Sequence, residues 1–119
     1  MNVRRWRPPL LWAGAILLLT SYPNPPIPRA LAGTDKLVHF GLYAGLGYLV
    51  ARSLLQHSLP GIAALGALAI ALAFGGIDEW HQQFIPGRSM DLADWRADAT
   101  GAAVGILAAL TIHRSRRPL

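Results

Sequence analysis

The sequence has no cysteine and few charged residues, and each shortage excludes a class of protein. Without a thiol the chain cannot form a disulfide or a thiolate metal site. Charged residues make up 14% of its 119 residues, whereas apolar residues make up 53% and stand in blocks, without a helical or strand period. Such a composition favours a lipid bilayer over water as the surroundings of the folded chain. We therefore predict a single all-α domain, 1–119, that is integral to a membrane.

Acidic residues are scarcer still, with six against eleven Lys and Arg, and the formal net charge is +5. The basic residues cluster near the termini and lack interleaved aromatic residues, so they are not typical of a nucleic-acid-binding face. No nucleic-acid partner is expected. Arginines at the ends of apolar segments instead fit the positive-inside rule for membrane helices.

Four apolar segments predict four helices, at about 9–22, 37–55, 60–77 and 93–112. The second and third are long enough, at about 1.5 Å per residue, to cross the hydrocarbon region. The first is short and the fourth begins with charged residues, so both need an interfacial anchor such as Trp6 or local thinning of the bilayer. The expected architecture is a membrane four-helix bundle with short loops.

The first segment has a second interpretation, as a cleaved signal peptide. Arg4, Arg5 and Arg7 precede it, and the Ala-Leu-Ala at 30–32 resembles a small-residue cleavage site. The proline-rich stretch 21–29 suits an extended connector between helices better than a peptidase substrate. We therefore predict that this segment is retained as a membrane helix.

The basic residues also predict the orientation of the bundle. With four helices both termini share one side, and seven of the eleven Lys and Arg residues fall there. These are Arg4, Arg5, Arg7, Arg52, Arg114, Arg116 and Arg117. The positive-inside rule then places both termini in the cytoplasm. All six acidic residues lie on the opposite, extracytoplasmic side.

Polar residues gather on that acidic side, because residues 35–39 open the second helix, 78–82 close the third and 94–98 open the fourth. Within these segments polar side chains recur at i, i+4 spacing, which places them on one face of each helix. The spaced sets are Asp35, His39 and Tyr43; Asp78 and Gln82; and Asp94 and Asp98. We expect the three polar faces to meet.

Two GxxxG pairs lie on the same helices, Gly41 with Gly45 and Gly101 with Gly105. Small residues at this spacing let two membrane helices approach closely. The pairs therefore predict tight packing within the bundle, and they suit self-association into a homo-oligomer equally well.

Asp78 and Glu79 are adjacent carboxylates at the end of a helix, where the dipole opposes negative charge. Helix stability does not explain them, so they imply a basic partner or a functional site. Arg88, brought back by a Pro-Gly turn, is the expected cation. By contrast, we interpret Asp91 and Arg96 as solvated residues that serve as a helix cap or in a turn.

Three polar segments stand out in the sequence: DKLVHFGLY at 35–43, DEWHQQFIPGRS at 78–89 and DWRADATGAAVG at 94–105. Together they resemble one family of bacterial membrane proteins, the VanZ-like family. The resemblance implies a multi-pass location in the bacterial cytoplasmic (inner) membrane and a link to glycopeptide resistance in the founding member, whose molecular activity is not established. The positions that match the family pattern are Asp35, Lys36, His39, Asp78, Glu79, Gln82, Arg88, Asp94, Asp98 and Gly101.

The polar groups suit a site that binds or acts on a membrane lipid or a lipid-linked cell-envelope intermediate. Asp78, Glu79 and His39 are the catalytic candidates, with a carboxylate as general base. The substrate-binding candidates are Asp35, Lys36, Gln82, Arg88, Asp94 and Asp98. No cofactor or metal is expected, although His39, Asp78 and Glu79 offer ligands, since the matched positions hold one histidine. The alternative is a scaffold that modulates a partner protein, with the cluster as a structural lock.

Overall fold

The computed structural model describes residues 2–21, 34–87 and 90–117, with the side chains at 34 and 35 excepted. These ranges contain a short 3-10 helix and four α-helices, and no strand. The elements are the 3-10 helix Val3–Trp6, α1 Arg7–Thr20, α2 Thr34–Leu55, α3 Pro60–Gln82 and α4 Leu92–Ser115. The predicted all-α fold of four helices is confirmed.

Helix α3 continues five residues past the predicted end at 77. It starts at Pro60, whose missing N–H is no loss in a first turn. Nothing between 78 and 82 breaks a helix, and the first strong breaker is the Pro86-Gly87 turn, where Gly87 has a φ of 79°. Asp78 and Glu79 therefore lie within the last turns of α3, and the helix geometry sets the directions of their side chains.

The seam between α2 and α4 is the tightest in the bundle, because glycines let the two backbones touch. A Cβ added at Gly101 would collide with the Phe40 carbonyl, and one added at Gly105 with the Ala44 carbonyl. Gly47 faces α4 in the same way. The predicted packing of the second GxxxG pair is therefore present in the structure.

The first GxxxG pair behaves differently. A Cβ added at Gly41 would meet nothing within 4 Å, and one added at Gly45 would meet the Trp12 ring. The Trp12 indole N–H also donates to the Leu42 carbonyl at 2.7 Å. Gly45 alone of this pair is in a close contact, with a side chain of α1, and Gly47 makes the close approach to the α4 backbone.

Many large apolar side chains face outward, while the interior combines alanines and polar residues with a few large apolar side chains such as Ile16, Leu46 and Ile106. The exposed apolar residues include Leu10, Leu11, Leu18, Ile62, Leu65, Ile77 and Leu107. Within the described ranges α3 is the one helix long and apolar enough to cross a membrane. Only 22% of its most apolar window is buried, whereas a core helix of a water-soluble protein is mostly buried.

Candidate functional site

The antiparallel helices bring the end of α1, the start of α2, the end of α3 and the start of α4 to one end of the bundle. Ten polar side chains meet there and are called the polar cluster below. They are Thr20, Lys36, His39, Tyr43, Asp78, Glu79, Gln82, Asp91, Asp94 and Asp98. All but Lys36 and Asp91 are buried. A buried cluster of this kind is specified by its hydrogen bonds, because each unpaired group costs free energy.

Asp78 lies at the centre of three helices and is 0% exposed. Its Oδ1 accepts a hydrogen bond from the Thr20 hydroxyl at 2.7 Å, and its Oδ2 accepts one from the Tyr43 hydroxyl at 3.2 Å. Both donors are neutral. The expected cation, Arg88, lies outside the described residues, so the contacts seen at Asp78 are hydroxyl contacts that connect α1, α2 and α3.

His39 is held between two carboxylates of α4 that stand one turn apart. Its Nδ1 lies 2.8 Å from Asp98 Oδ1, and its Nε2 lies 3.8 Å from Asp94 Oδ2. An ionised carboxylate only accepts, so with Asp98 ionised the Nδ1 atom carries the hydrogen. That contact fixes the ring orientation and directs Nε2 toward Asp94.

Lys36 joins the start of α2 to the start of α4. Its ammonium forms ion pairs with Asp94 and, at 2.9 Å, with Asp91 Oδ2. Asp91 is also the N-cap of α4, since its Oδ1 accepts from the Ala93 N–H at 2.9 Å. The Lys36 and Ala93 hydrogen bonds lower the pKa of the Asp91 carboxyl. The expected cap at Asp91 is therefore present, together with an ion pair that sequence reasoning missed.

Glu79 is buried beside these groups and is only partly satisfied. Its Oε2 accepts from the Asp91 backbone N–H at 3.1 Å. Its Oε1 has no hydrogen-bond partner among the residues that the structure describes, and the same holds for Gln82 Nε2 and Asp98 Oδ2. Buried polar atoms are rarely left unpaired in folded proteins, so this part of the cluster is suited to a ligand.

An open cleft of about 360 Å³ lies beside Glu79. It is lined by Gly76, Glu79, Met90, Asp91, Leu92 and Trp95. The Trp95 indole is fixed by a hydrogen bond from its Nε1 to the Leu72 carbonyl at 3.2 Å. The cleft thus combines apolar walls with carboxylates at one end, which is the shape of a site for an amphiphilic molecule.

Comparison with protein families identifies the chain. The model of the VanZ/LLP1 family matches residues 8–113, which include all of the polar cluster. The chain belongs to the VanZ/LLP1 family. No curated protein and no solved structure matches it. The resemblance inferred from the three motifs is therefore confirmed, while the chemistry of this VanZ/LLP1 protein has to be argued from its own residues.

The structure brings together most of the residues that the sequence predicts for the site. Seven of them lie in the polar cluster: Lys36, His39, Asp78, Glu79, Gln82, Asp94 and Asp98. The side chain of Asp35 and all of Arg88 lie outside the described residues. Thr20 was missed, and its signal is a lone hydroxyl at the acidic end of an otherwise apolar helix. Tyr43 was placed on the polar face of α2, but it was given no role.

Proposed function

We propose that this VanZ/LLP1 protein is a multi-pass protein of the bacterial cytoplasmic membrane that binds and acts on the head group of a lipid or lipid-linked cell-envelope intermediate. The cleft at Glu79 carries this proposal, because it joins an apolar wall to the polar cluster. Acyl or prenyl chains would contact Met90, Leu92 and Trp95. The head group would then lie at the carboxylates.

The distribution of side chains supports the membrane location. Large apolar residues are exposed along α1 and α3, whereas acidic residues are buried, which reverses the arrangement of a water-soluble protein. The 23 residues of α3 extend about 35 Å, enough to cross the hydrocarbon. Both termini lie in the cytoplasm by the positive-inside rule, so the cleft opens on the extracytoplasmic side.

From these contacts we propose two roles for the candidate catalytic residues. Glu79 lines the cleft, and its Oε1 has no hydrogen-bond partner among the described residues, so it is suited to serve as a general base. His39 is oriented by Asp98 beside it. Asp78 accepts from two hydroxyls and does not line the cleft, so it acts as a positioning residue.

A second function, that of a non-catalytic scaffold, is favoured by one specific observation. Asp78 connects α1 to α2 and α3 through Thr20 and Tyr43. A lock of that kind would hold the surface of the bundle in one shape for a partner protein. In that case the cleft would be empty of lipid, and the two functions can therefore be separated by experiment.

The experiment fills the cleft by a substitution and measures the bound lipid. Gly76 lines the cleft, and a Cβ there meets only Trp95, at 3.6 Å. Gly61 lies on the same helix, away from the cleft, with nothing within 4 Å of an added Cβ. We expect Gly76→Leu to lose the lipid that co-purifies with wild type, measured by mass spectrometry, and Gly61→Leu to retain it. Equal lipid content in the two variants would favour the scaffold.

A further inference from the structure

Three side chains from three different helices converge at Glu79, which lines the cleft. His39 of α2, Glu79 of α3 and Asp94 of α4 are all buried, and each offers one ligand atom such that these atoms lie within 4.8 Å of one another. An imidazole with two carboxylates is a ligand set for first-row divalent metals such as Zn²⁺ and Mn²⁺. This set differs from the one considered from the sequence, because Asp94 takes the place of Asp78.

The orientation of His39 is a second and separate observation. Asp98 lies 2.8 Å from Nδ1, on the side of the ring away from Nε2. Histidines that bind metals commonly donate their other ring N–H to a carboxylate, which fixes the tautomer and makes the ligating nitrogen more basic. Here that contact directs Nε2 toward Asp94 Oδ2 at 3.8 Å, a separation too long for a hydrogen bond.

Glu79 provides the third observation. The residue is 3% exposed, its Oε2 is held by the Asp91 N–H, and its Oε1 has no partner among the described residues. A buried carboxylate oxygen without a donor is unfavourable, and a cation would remove that cost. Because Glu79 also lines the cleft, an ion bound here would face the space that a head group would occupy.

We propose that His39, Glu79 and Asp94 bind one divalent transition-metal ion, with Asp98 as the residue that positions His39. Asp78 is not a ligand, since both of its oxygens accept hydrogen bonds from hydroxyls. With the ion bound, Glu79 is a ligand and no longer the general base, and an ion with three protein ligands keeps positions open for water or a substrate oxygen. That the bound ion contacts a lipid head group rests on the proposed function, whereas metal binding itself does not.

The test uses the full-length protein, purified in detergent, treated with a chelator and titrated with Zn²⁺. We expect wild type to bind one equivalent by calorimetry and elemental analysis. Glu79→Gln and Asp94→Asn should lose this equivalent, and Asp98→Asn should weaken its affinity by about 10- to 100-fold. His57→Gln removes an exposed histidine outside the cluster and should change nothing, which controls for adventitious binding.

Two results would overturn the metal site. One is that wild type binds no Zn²⁺ except an amount that His57→Gln also loses. That result is expected if His39 is an imidazolium that bridges Asp94 and Asp98, because an imidazolium nitrogen cannot bind a metal. The other is an equivalent that persists in both Glu79→Gln and Asp94→Asn. Should these variants fail to fold, a rise in wild-type melting temperature with Zn²⁺, reversed by chelator, supports the site, and no rise overturns it.

Lipid content measured on the same samples separates this inference from the proposed function. Co-purifying lipid without a Zn²⁺ equivalent would overturn the metal site and leave the lipid site standing. A Zn²⁺ equivalent in a wild type that carries no more lipid than Gly76→Leu would overturn the lipid site and leave the metal site standing.

Discussion

The charged side chains at the two ends of the bundle differ in burial and in their bonding partners. At the acidic end, carboxylates from α3 and α4 are buried and bonded to side chains of other helices. At the basic end, Arg52 and Arg116 are exposed beside a pocket of about 210 Å³. Arg5 there is half-buried, and among the described residues its hydrogen bonds to another helix are both with Ser53: its guanidinium donates to the Ser53 carbonyl at 3.5 Å, and its own carbonyl accepts from the Ser53 hydroxyl at 2.8 Å.

This difference shows which charges are constrained by the fold and which are not. A solvated arginine can orient a membrane helix without any specific partner, because the positive-inside rule depends on the number of basic residues. A buried carboxylate has to be matched by particular donors in a particular geometry. The basic end should therefore tolerate substitution, whereas the acidic end should not.

The largest expected effect is an all-or-none difference in accessibility between the two ends. Single cysteines at Gln83 and Gln56 can be introduced into a chain that has none, and both positions are exposed. A membrane-impermeant thiol reagent added to intact cells whose outer membrane has been permeabilised should label position 83 and not position 56. Labelling at 56 alone would mean that the topology is the reverse of the predicted one. Labelling at both would show that the bundle does not separate the two ends across a membrane.

The next effect is on folding free energy and compares one charge from each end. Asp98→Ala removes the buried carboxylate that orients His39, and losing a hydrogen bond to a charged group costs about 1.5 to 3 kcal/mol. Arg52→Ala removes an exposed charge and should cost less than about 0.5 kcal/mol. Thermal unfolding in detergent and abundance in the membrane measure both. Similar stability of the two variants would contradict a constrained acidic end.

The features of the acidic end that depend on helix order could be predicted from the sequence. Consecutive antiparallel helices put residues 35–39, 78–82 and 94–98 at the same end whatever their rotation. Which side chains touch depends on rotation, which the Gly47, Gly101 and Gly105 contacts between α2 and α4 help to set. Local spacing does not reveal such a contact, so the hydroxyl partners of Asp78 were not predicted.

A smaller effect distinguishes two threonines at opposite ends of the bundle. Both threonine hydroxyls lie 2.9 Å from the carbonyl four residues earlier in their own helix. The Thr20 hydroxyl is buried and also lies 2.7 Å from Asp78, to which it donates, whereas the Thr111 hydroxyl is exposed. Thr20→Val leaves a buried carboxylate oxygen without this donor and should cost about 1 to 3 kcal/mol. Thr111→Val should stay within about 0.5 kcal/mol of wild type in the same unfolding assay. Equal costs would show that the bond to Asp78 contributes little.

The smallest expected effect is at Asp91, the half-exposed member of the polar cluster. Asparagine also caps helices well, so Asp91→Asn should retain the cap of α4 and lose only the ion pair to Lys36. Side-chain exposures of 38% for Lys36 and 43% for Asp91 leave this pair strongly screened by solvent. The expected loss at neutral pH is within about 0.5 kcal/mol.

The pH dependence of that small loss follows from the direction of the pKa shift. Lys36 and the Ala93 N–H lower the pKa of Asp91 in the folded chain, so ionised Asp91 stabilises the fold above the unfolded pKa of about 3.9. This contribution disappears as the pH falls through the lowered folded value. Melting temperatures of wild type and Asp91→Asn should therefore converge below about pH 4, where the carboxyl becomes protonated. If the difference in melting temperature between wild type and Asp91→Asn widens in acid, Asp91 is protonated in the native protein and the pairing with Lys36 is wrong.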